Sequence, residues 1–241
     1  VKARERLLVA LDTADLEAAR RLVRLLRGHV GGFKIGLQLF TVGGQEIVKE
    51  IRSGGEVVFL DLKLHDIPNT VAGAAAAAAR MGVSFFTLHA SGGPKMIRRG
   101  VEASAEAAEQ VGLPRPVALA VTVLTSHDDN ELRAIGMQGP CGTAVLRLAN
   151  LAREAGAGGL VCSALEVANA RQAFPGGTLV VPGIRPAAGS TAGDDQSRTA
   201  TPARAVAAGA DFLVIGRPIT RAEDPAGAAR AIAAEIERGE G

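Results

Sequence analysis

Apolar residues fall along this chain in two alternating textures. Short aliphatic runs are followed by longer stretches in which apolar positions recur every three to four residues. The first run is Leu7-Leu8-Val9-Ala10-Leu11-Asp12, and behind it Leu16, Ala19, Leu22, Val23 and Leu26 keep helical spacing between Asp15 and Arg27. A continuous aliphatic run marks a strand buried on both faces, and a period near 3.6 marks an amphipathic helix. The same alternation predicts further strands over 33–37, 57–63, 85–89, 117–124, 159–162, 179–182 and 212–215. It predicts helices over 41–52, 68–80, 94–110, 165–173, 202–208 and 224–238. Between 129 and 154 a longer helical stretch is broken by Gly136, Gly139 and Pro140.

Eight strand–helix units in succession predict a single (β/α)8 TIM barrel, one α/β domain spanning residues 1–241. That length is close to the roughly 250 residues typical of the architecture. An open doubly wound sheet is the competing arrangement. It is disfavoured because no Gly-x-Gly-x-x-Gly turn follows the first strand. The Ala72–Ala79 tract reads as a helix packed tightly on the sheet, since alanine is the best helix former and the smallest helical side chain. The one long polar connection, 186–199, is rich in Ala, Gly, Ser and Asp and has the length of a lid or binding loop.

Composition narrows the function classes. With seven Phe and neither Trp nor Tyr, packing rests on aliphatic residues, and aromatic platforms for single-stranded nucleic acid are missing. The net charge is +2 with both signs interspersed, so no nucleic-acid partner is expected; Arg20, Arg21, Arg24 and Arg27 read as a solvated helix face. No run approaches the 18 or so apolar residues of a membrane span, and no signal-peptide pattern opens the chain. Cys162 reads as a small core residue and Cys141 as a loop thiol. Neither lies in a C-x-x-C pair, which fits a soluble protein of the reducing cytoplasm.

Chemistry on a closed parallel barrel gathers at the C-terminal ends of its strands. Those ends carry Asp12, Lys34, Asp61, Lys63, His89, Thr122, Pro182, Gly216 and Arg217. Asp61 and Lys63, two residues apart, share a strand face, and Lys34 ends the neighbouring strand. Burying such charges is costly unless each is flanked by its opposite, which an alternating Lys/Asp row provides. An ammonium held among carboxylates stays protonated and can deliver its proton to a developing carbanion. A structural ion-pair network at the barrel mouth fits the same residues, and the pattern alone leaves both readings open. His65 has the opposite parity to Asp61 and Lys63 and is expected to face away. His89 fits either a structural role or a substrate contact, and His29 and His127 read as surface residues. No histidine spacing suggests a metal, and the lysines would compete with a cation for the carboxylates.

A second constellation points to phosphate. After the last strand come Gly216-Arg217-Pro218, and Arg185 follows the seventh strand. Glycine permits close backbone approach, helix-start amides favour an anion, and an Arg fork grips it. Phosphate sites on such barrels often follow strands seven and eight. A surface Arg217 with an ion-pair partner is the plain alternative.

The segment Leu60-Asp61-Leu62-Lys63-Leu64-His65-Asp66-Ile67-Pro68-Asn69-Thr70-Val71 resembles the signature of bacterial orotidine 5′-phosphate decarboxylases. The resemblance extends through 8–12, 33–36, 87–90, 121–126, 161–163, 182–185 and 214–218. It implies decarboxylation of orotidine 5′-phosphate to uridine 5′-phosphate, the last step of de novo pyrimidine nucleotide synthesis, with no metal and no cofactor. Lys63 would then give the proton to C6 of the pyrimidine, and Asp61 would sit against the substrate carboxylate. Lys34 and Asp66 would complete the row. By the same resemblance Asp66, Ile67 and Thr70 reach into a neighbouring subunit's site, which implies a homodimer with shared active sites. Asp12, Lys34 and Thr70 would address the ribose, and Thr125 and Ser126 would lie near the ring. Pro182 counts among the substrate-binding positions. Arg185, Gln196, Gly216 and Arg217 would hold the phosphate, with Gln196 supplied by the 186–199 loop. Asp66 could instead simply favour the N-terminus of the helix that Pro68 opens. The rival on the same scaffold is a magnesium-dependent sugar-phosphate decarboxylase or aldolase, which resembles this chain in D-x-K-x-x-D but not in D-I-P-N-T or P-G-I-R. A non-catalytic phosphate-binding barrel would not need Asp61, Lys63 and Asp66 together.

Overall fold

The computed structural model describes residues 2–186 and 200–239. Eight parallel strands close into a barrel in sequence order: β1 (Leu7–Ala10), β2 (Gly32–Gly36), β3 (Val57–Leu64), β4 (Phe85–His89), β5 (Val117–Val121), β6 (Gly159–Val161), β7 (Thr178–Val181) and β8 (Phe212–Ile215). β8 pairs back onto β1, Leu8 opposite Val214, so no sheet edge is left open. Around them run α1 (Leu16–Leu26), α2 (Leu37–Ser53), α3 (Pro68–Arg80), α4 (Pro94–Gln110), α5 (Asp129–Ala134), α6 (Cys141–Glu154), α7 (Val167–Ala173), α8 (Pro202–Ala207), α9 (Arg217–Thr220) and α10 (Pro225–Gly239). This is a single (β/α)8 barrel, as the alternation predicts.

Alternate residues of each strand face opposite sides, which produces two cores. One set packs outward against the helices, with Leu7, Val9, Phe33, Ile35, Leu160 and Ile215 among its buried members. The other fills the barrel. Leu8, Phe59, Phe85, Leu119, Val180 and Val214 pack there, with Phe212 beside them. Phe85 meets Phe59 and Phe212 edge-on, with ring centroids 6.1 and 5.1 Å apart. The alanine tract behaves as expected: Ala75, Ala78 and Ala79 of α3 are buried, and Ala79 packs with Ala107 and Ala108 of α4.

Three details differ from the sequence expectation. The 129–154 stretch breaks where expected, into two helices, and the difference there lies at Cys141. Asp128 caps α5 reciprocally with Glu131, Gly136 and Gly139 both take positive φ, and α6 begins after Pro140. Cys141 is therefore the first residue of α6 rather than a loop thiol. The fifth strand ends at Val121, because the chain beyond it leaves the ladder to line the barrel mouth. The second helix starts at Leu37, directly after Gly36, rather than at Thr41. Among the described residues no helix is long and apolar enough to cross a membrane.

Candidate active site

Toward the C-terminal ends of β2, β3 and β4 the inward positions turn from apolar to polar. Lys34 follows Gly32 on β2, and Asp61 follows Phe59 on β3; both side chains are buried, with residue exposures of 8% and 9%. Lys34 Nζ donates to Asp12 Oδ1 at 2.8 Å and lies 3.8 Å from Asp61 Oδ2. Lys63 Nζ donates to both oxygens of Asp61, at 2.9 and 2.8 Å. The result is a continuous ladder, Asp12–Lys34–Asp61–Lys63, in which each buried charge has an opposite neighbour. Gly36 leaves room for it, since a Cβ there would stand 2.9 Å from Lys34 Nζ.

Lys63 reaches Asp61 through a distortion that strand alternation does not contain. β3 pairs evenly with β2 up to Gly36 opposite Asp61. Against β4, however, the four residue steps from Leu60 to Leu64 oppose only the two from Phe86 to Leu88. Such a bulge re-aims side chains. At its crest Lys63 adopts φ 52°, alone among the described non-glycine residues in having positive φ. That backbone costs about 1–2 kcal/mol. Thr87 lies opposite the bulge. Its Oγ1 accepts from the Lys63 backbone N–H at 2.8 Å and donates to Asp61 Oδ1 at 3.0 Å. Sequence reasoning assigned Thr87 no role. Its signal was a single hydroxyl in the Phe85-Phe86-Thr87-Leu88-His89 run, at the parity of inward-facing Phe85.

The ladder forms one wall of a cavity of about 440 Å³ at the barrel mouth. That volume falls within the range of small-molecule sites. Asp12, Lys34, Asp61 and Lys63 line one side; Arg185, Gly216 and Arg217 line another. Phe59, Val161 and Val214 contribute apolar surface beneath them. Thr125 and Pro182 also reach the cavity, as does Arg221, one helical turn beyond Arg217 and not singled out by the sequence. Ser126 is exposed and does not line it. Thr122 is turned to the neighbouring strand, donating to the Val161 carbonyl at 3.3 Å. Cys162 is buried as expected of a core residue but also touches the cavity, and burial pushes its thiol up to about 12. It stays a neutral thiol and is no nucleophile.

Asp66, Ile67 and Thr70 stand apart from the ladder of their own chain. All three are exposed, Ile67 by 67%, and none lines the cavity. Asp66 Oδ1 accepts from the Ile67 N–H at 2.6 Å just before Pro68 opens α3. His65 faces His89 instead of the cavity, with ring centroids 5.3 Å apart. Burial, then the nearby His65 and Lys63, lowers His89 from 6.5 to about 4, which keeps its imidazole neutral. The ends of the long loop meet at the cavity rim, where Arg185 N–H donates to the Ala200 carbonyl at 2.9 Å. Residues 187–199 lie outside the described residues, and with them Gln196.

Comparison with known proteins assigns the relationship. The model of the orotidine 5′-phosphate decarboxylase / HUMPS family matches residues 5–232. The chain belongs to that family. An orotidine 5′-phosphate decarboxylase from Anaeromyxobacter dehalogenans is 52% identical over 237 residues, 98% of this chain and all of that one. One from Thermobifida fusca is 51% identical over 232 residues, 95% of each chain. The crystal structure of orotidine 5′-phosphate decarboxylase from Lactobacillus acidophilus matches with a TM-score of 0.83 and 38% identity, covering 95% of this chain and 98% of that one. This member of the orotidine 5′-phosphate decarboxylase / HUMPS family is thus an enzyme, and its ladder and arginines occupy the end of the barrel where such folds place their chemistry.

Proposed function

We propose that this enzyme decarboxylates orotidine 5′-phosphate to uridine 5′-phosphate, in one catalytic domain, with neither metal nor cofactor. The observation that carries the reading is that one cavity holds the Asp12–Lys34–Asp61–Lys63 ladder on one side and Arg185 and Arg217 on another. The arginines and Gly216 would take the phosphate, together with Gln196. Asp12 and Lys34 would take the ribose, and Thr125 and Pro182 would border the ring. The substrate carboxylate then lies beside Asp61. Its C–C bond breaks, the electron pair stays on C6, and carbon dioxide leaves neutral. The Lys63 ammonium stabilises the carbanion as it forms and passes its proton to C6. Fixed charges of this kind act without reorganising, and the apolar lining keeps water from weakening them. Metal independence is supported by the carboxylate's own partners, since Asp61 already contacts two ammonium groups.

Exposed Asp66, Ile67 and Thr70 are available to a second copy of the chain, which supports a homodimer in which they complete the neighbouring cavity. Their exposure and their separation from their own cavity are what such an arrangement requires. The cytoplasm, where pyrimidine nucleotides are made, is the compartment this reading implies. Neither nucleic acid nor membrane enters it as a partner.

The deciding assay follows orotidine 5′-phosphate by absorbance in excess chelator. Turnover indifferent to chelator is expected. An enzyme inert toward this substrate would overturn the reading. Activity lost in chelator and restored by magnesium would move the chain toward the sugar-phosphate chemistry of its sister enzymes. For the shared site, mixed Lys63→Ala and Asp66→Ala subunits should recover part of the activity that each lacks alone. Verified heterodimers without recovery would refute the sharing.

A further inference from the structure

Lys63 is held in a left-handed backbone conformation near the half-buried C-terminal end of β3. Strained residues of this kind persist only where their surroundings fix them, and they cluster at functional sites. The fixing contact here is a single oxygen. The bulge takes the Lys63 N–H out of register with β4, and Thr87 Oγ1 accepts it at 2.8 Å. The same oxygen donates to Asp61 Oδ1 at 3.0 Å. A hydroxyl has one proton. With the Lys63 N–H on its acceptor side, Thr87 directs that proton to the carboxylate. Asp61 thereby has its rotation set, with both oxygens toward Lys63 Nζ and Oδ2 toward Lys34. Thr87 is fully buried and does not line the cavity, so it does not touch substrate.

We propose that Thr87 is a positioning residue of the decarboxylation. Its hydroxyl clamps the Lys63 backbone to the Asp61 carboxylate and so sets where the Lys63 ammonium stands relative to the reacting carbon. The inference rests on the decarboxylase reading above, but the clamp itself can be examined without substrate.

Thr87→Val keeps the shape and removes the hydroxyl; Thr87→Ser keeps the hydroxyl. A displacement of about 1 Å at a reacting group can cost on the order of a hundredfold in rate. Thr87→Val should therefore lower kcat by about ten- to a hundredfold while KM for orotidine 5′-phosphate stays within about threefold, the pattern of a contact that matters in the transition state. Thr87→Ser should recover to within about fivefold of the wild-type kcat. If Thr87→Val does not fold, Thr87→Ala carries the same expectation. A wild-type kcat in the folded hydroxyl-free variant, a loss confined to KM, or equal deficits in Ser and Val would overturn the proposal. Ligand-free crystal structures supply the second arm. In the hydroxyl-free variant Lys63 should leave positive φ or Asp61 should rotate off Lys63. An unchanged ladder there refutes the clamp, whatever the substrate. A wild-type enzyme inert toward orotidine 5′-phosphate would refute the decarboxylase reading, and with it the role in that reaction, while the crystal structures still decide the clamp.

Discussion

Two successive layers inside the barrel are built from the same strands and share almost no chemistry. In the lower layer β3 contributes Phe59, β4 Phe85 and β8 Val214, closed by Phe212. Two residues further along, about 7 Å, β3 contributes Asp61 and β4 Thr87, and Gly216 follows the end of β8. The lower layer is held by ring and aliphatic contact and needs no partner of defined polarity. The upper layer is held by directional bonds from Lys34, Lys63 and Thr87, and it carries the one strained non-glycine residue found among the described ones. The difference assigns separate tasks: the lower layer stabilises the fold, and the upper layer accepts strain to place charge. Each also depends on the other, because charges above a dry apolar layer act through a lower effective dielectric than they would in water.

The comparison breaks most sharply at Lys63. Lys63→Ala should lower kcat/KM by at least about a thousandfold, since in the proposed decarboxylation it removes both the proton and the charge that the carbanion would need. Its thermal midpoint should fall only modestly, because Asp61 keeps Lys34 and Thr87 as partners. Lys63→Gly should be equally inactive yet roughly 1 kcal/mol more stable than Lys63→Ala, as glycine accepts positive φ without penalty. Steady-state kinetics beside urea melts would check both halves. An Ala variant as stable as the Gly variant would show that the bulge is unstrained.

The lower layer should fail in the opposite way. Phe85→Ala empties the space between Phe59 and Phe212 and should destabilise the fold by about 3–5 kcal/mol. Folded enzyme should keep a far larger share of its kcat than Lys63→Ala does. If Phe85→Ala instead lost rate without losing stability, the division between layers would be wrong. A smaller effect is expected at the far side of the cavity. Arg217→Ala removes charge-assisted bonds of about 1.5–3 kcal/mol. It should raise KM for the phosphorylated nucleotide by about ten- to a hundredfold and erase the preference over the unphosphorylated nucleoside. A wild-type preference in this variant would remove Arg217 from the phosphate site.

The two layers were not equally legible in the sequence. The lower one follows from local pattern, because aliphatic runs at strand length and alanine at helix spacing settle a barrel without knowledge of any partner. The ladder was half legible: Asp61, Lys63 and Lys34 stand at strand ends and at matching parity. Their route to one another was not, because the bulge is a mismatch between β3 and β4 that neither strand records alone. Thr87 was passed over for the same reason, as its value comes from what lies across the bulge. Asp66 shows the converse. Sequence proximity puts it beside the ladder, yet just before the helix start at Pro68 it is exposed and lines no part of its own chain's cavity.

The smallest expected effect tests how far the upper layer's polarity extends. His89 ends β4, two residues past Thr87, and packs on His65 beside the cavity instead of lining it. Its neighbours are His65, Lys63, Asp61 and His127, and burial with the first two outweighs Asp61 to lower it from 6.5 to about 4. Above pH 6.5 the imidazole is neutral both folded and unfolded and contributes no pH dependence. As pH falls from about 6.5 toward 4, the unfolded chain takes up a proton that the folded one refuses, so stability drops across that window and levels off below it. His89 retains some solvent contact, so screening limits the loss to on the order of 1–2 kcal/mol. Urea unfolding at pH 7.5 and pH 5.0 should show wild type losing that much more than His89→Gln. Equal losses would mean that His89 titrates normally in the folded state. It would then belong to the charged layer, and the boundary drawn at Thr87 would have to move outward.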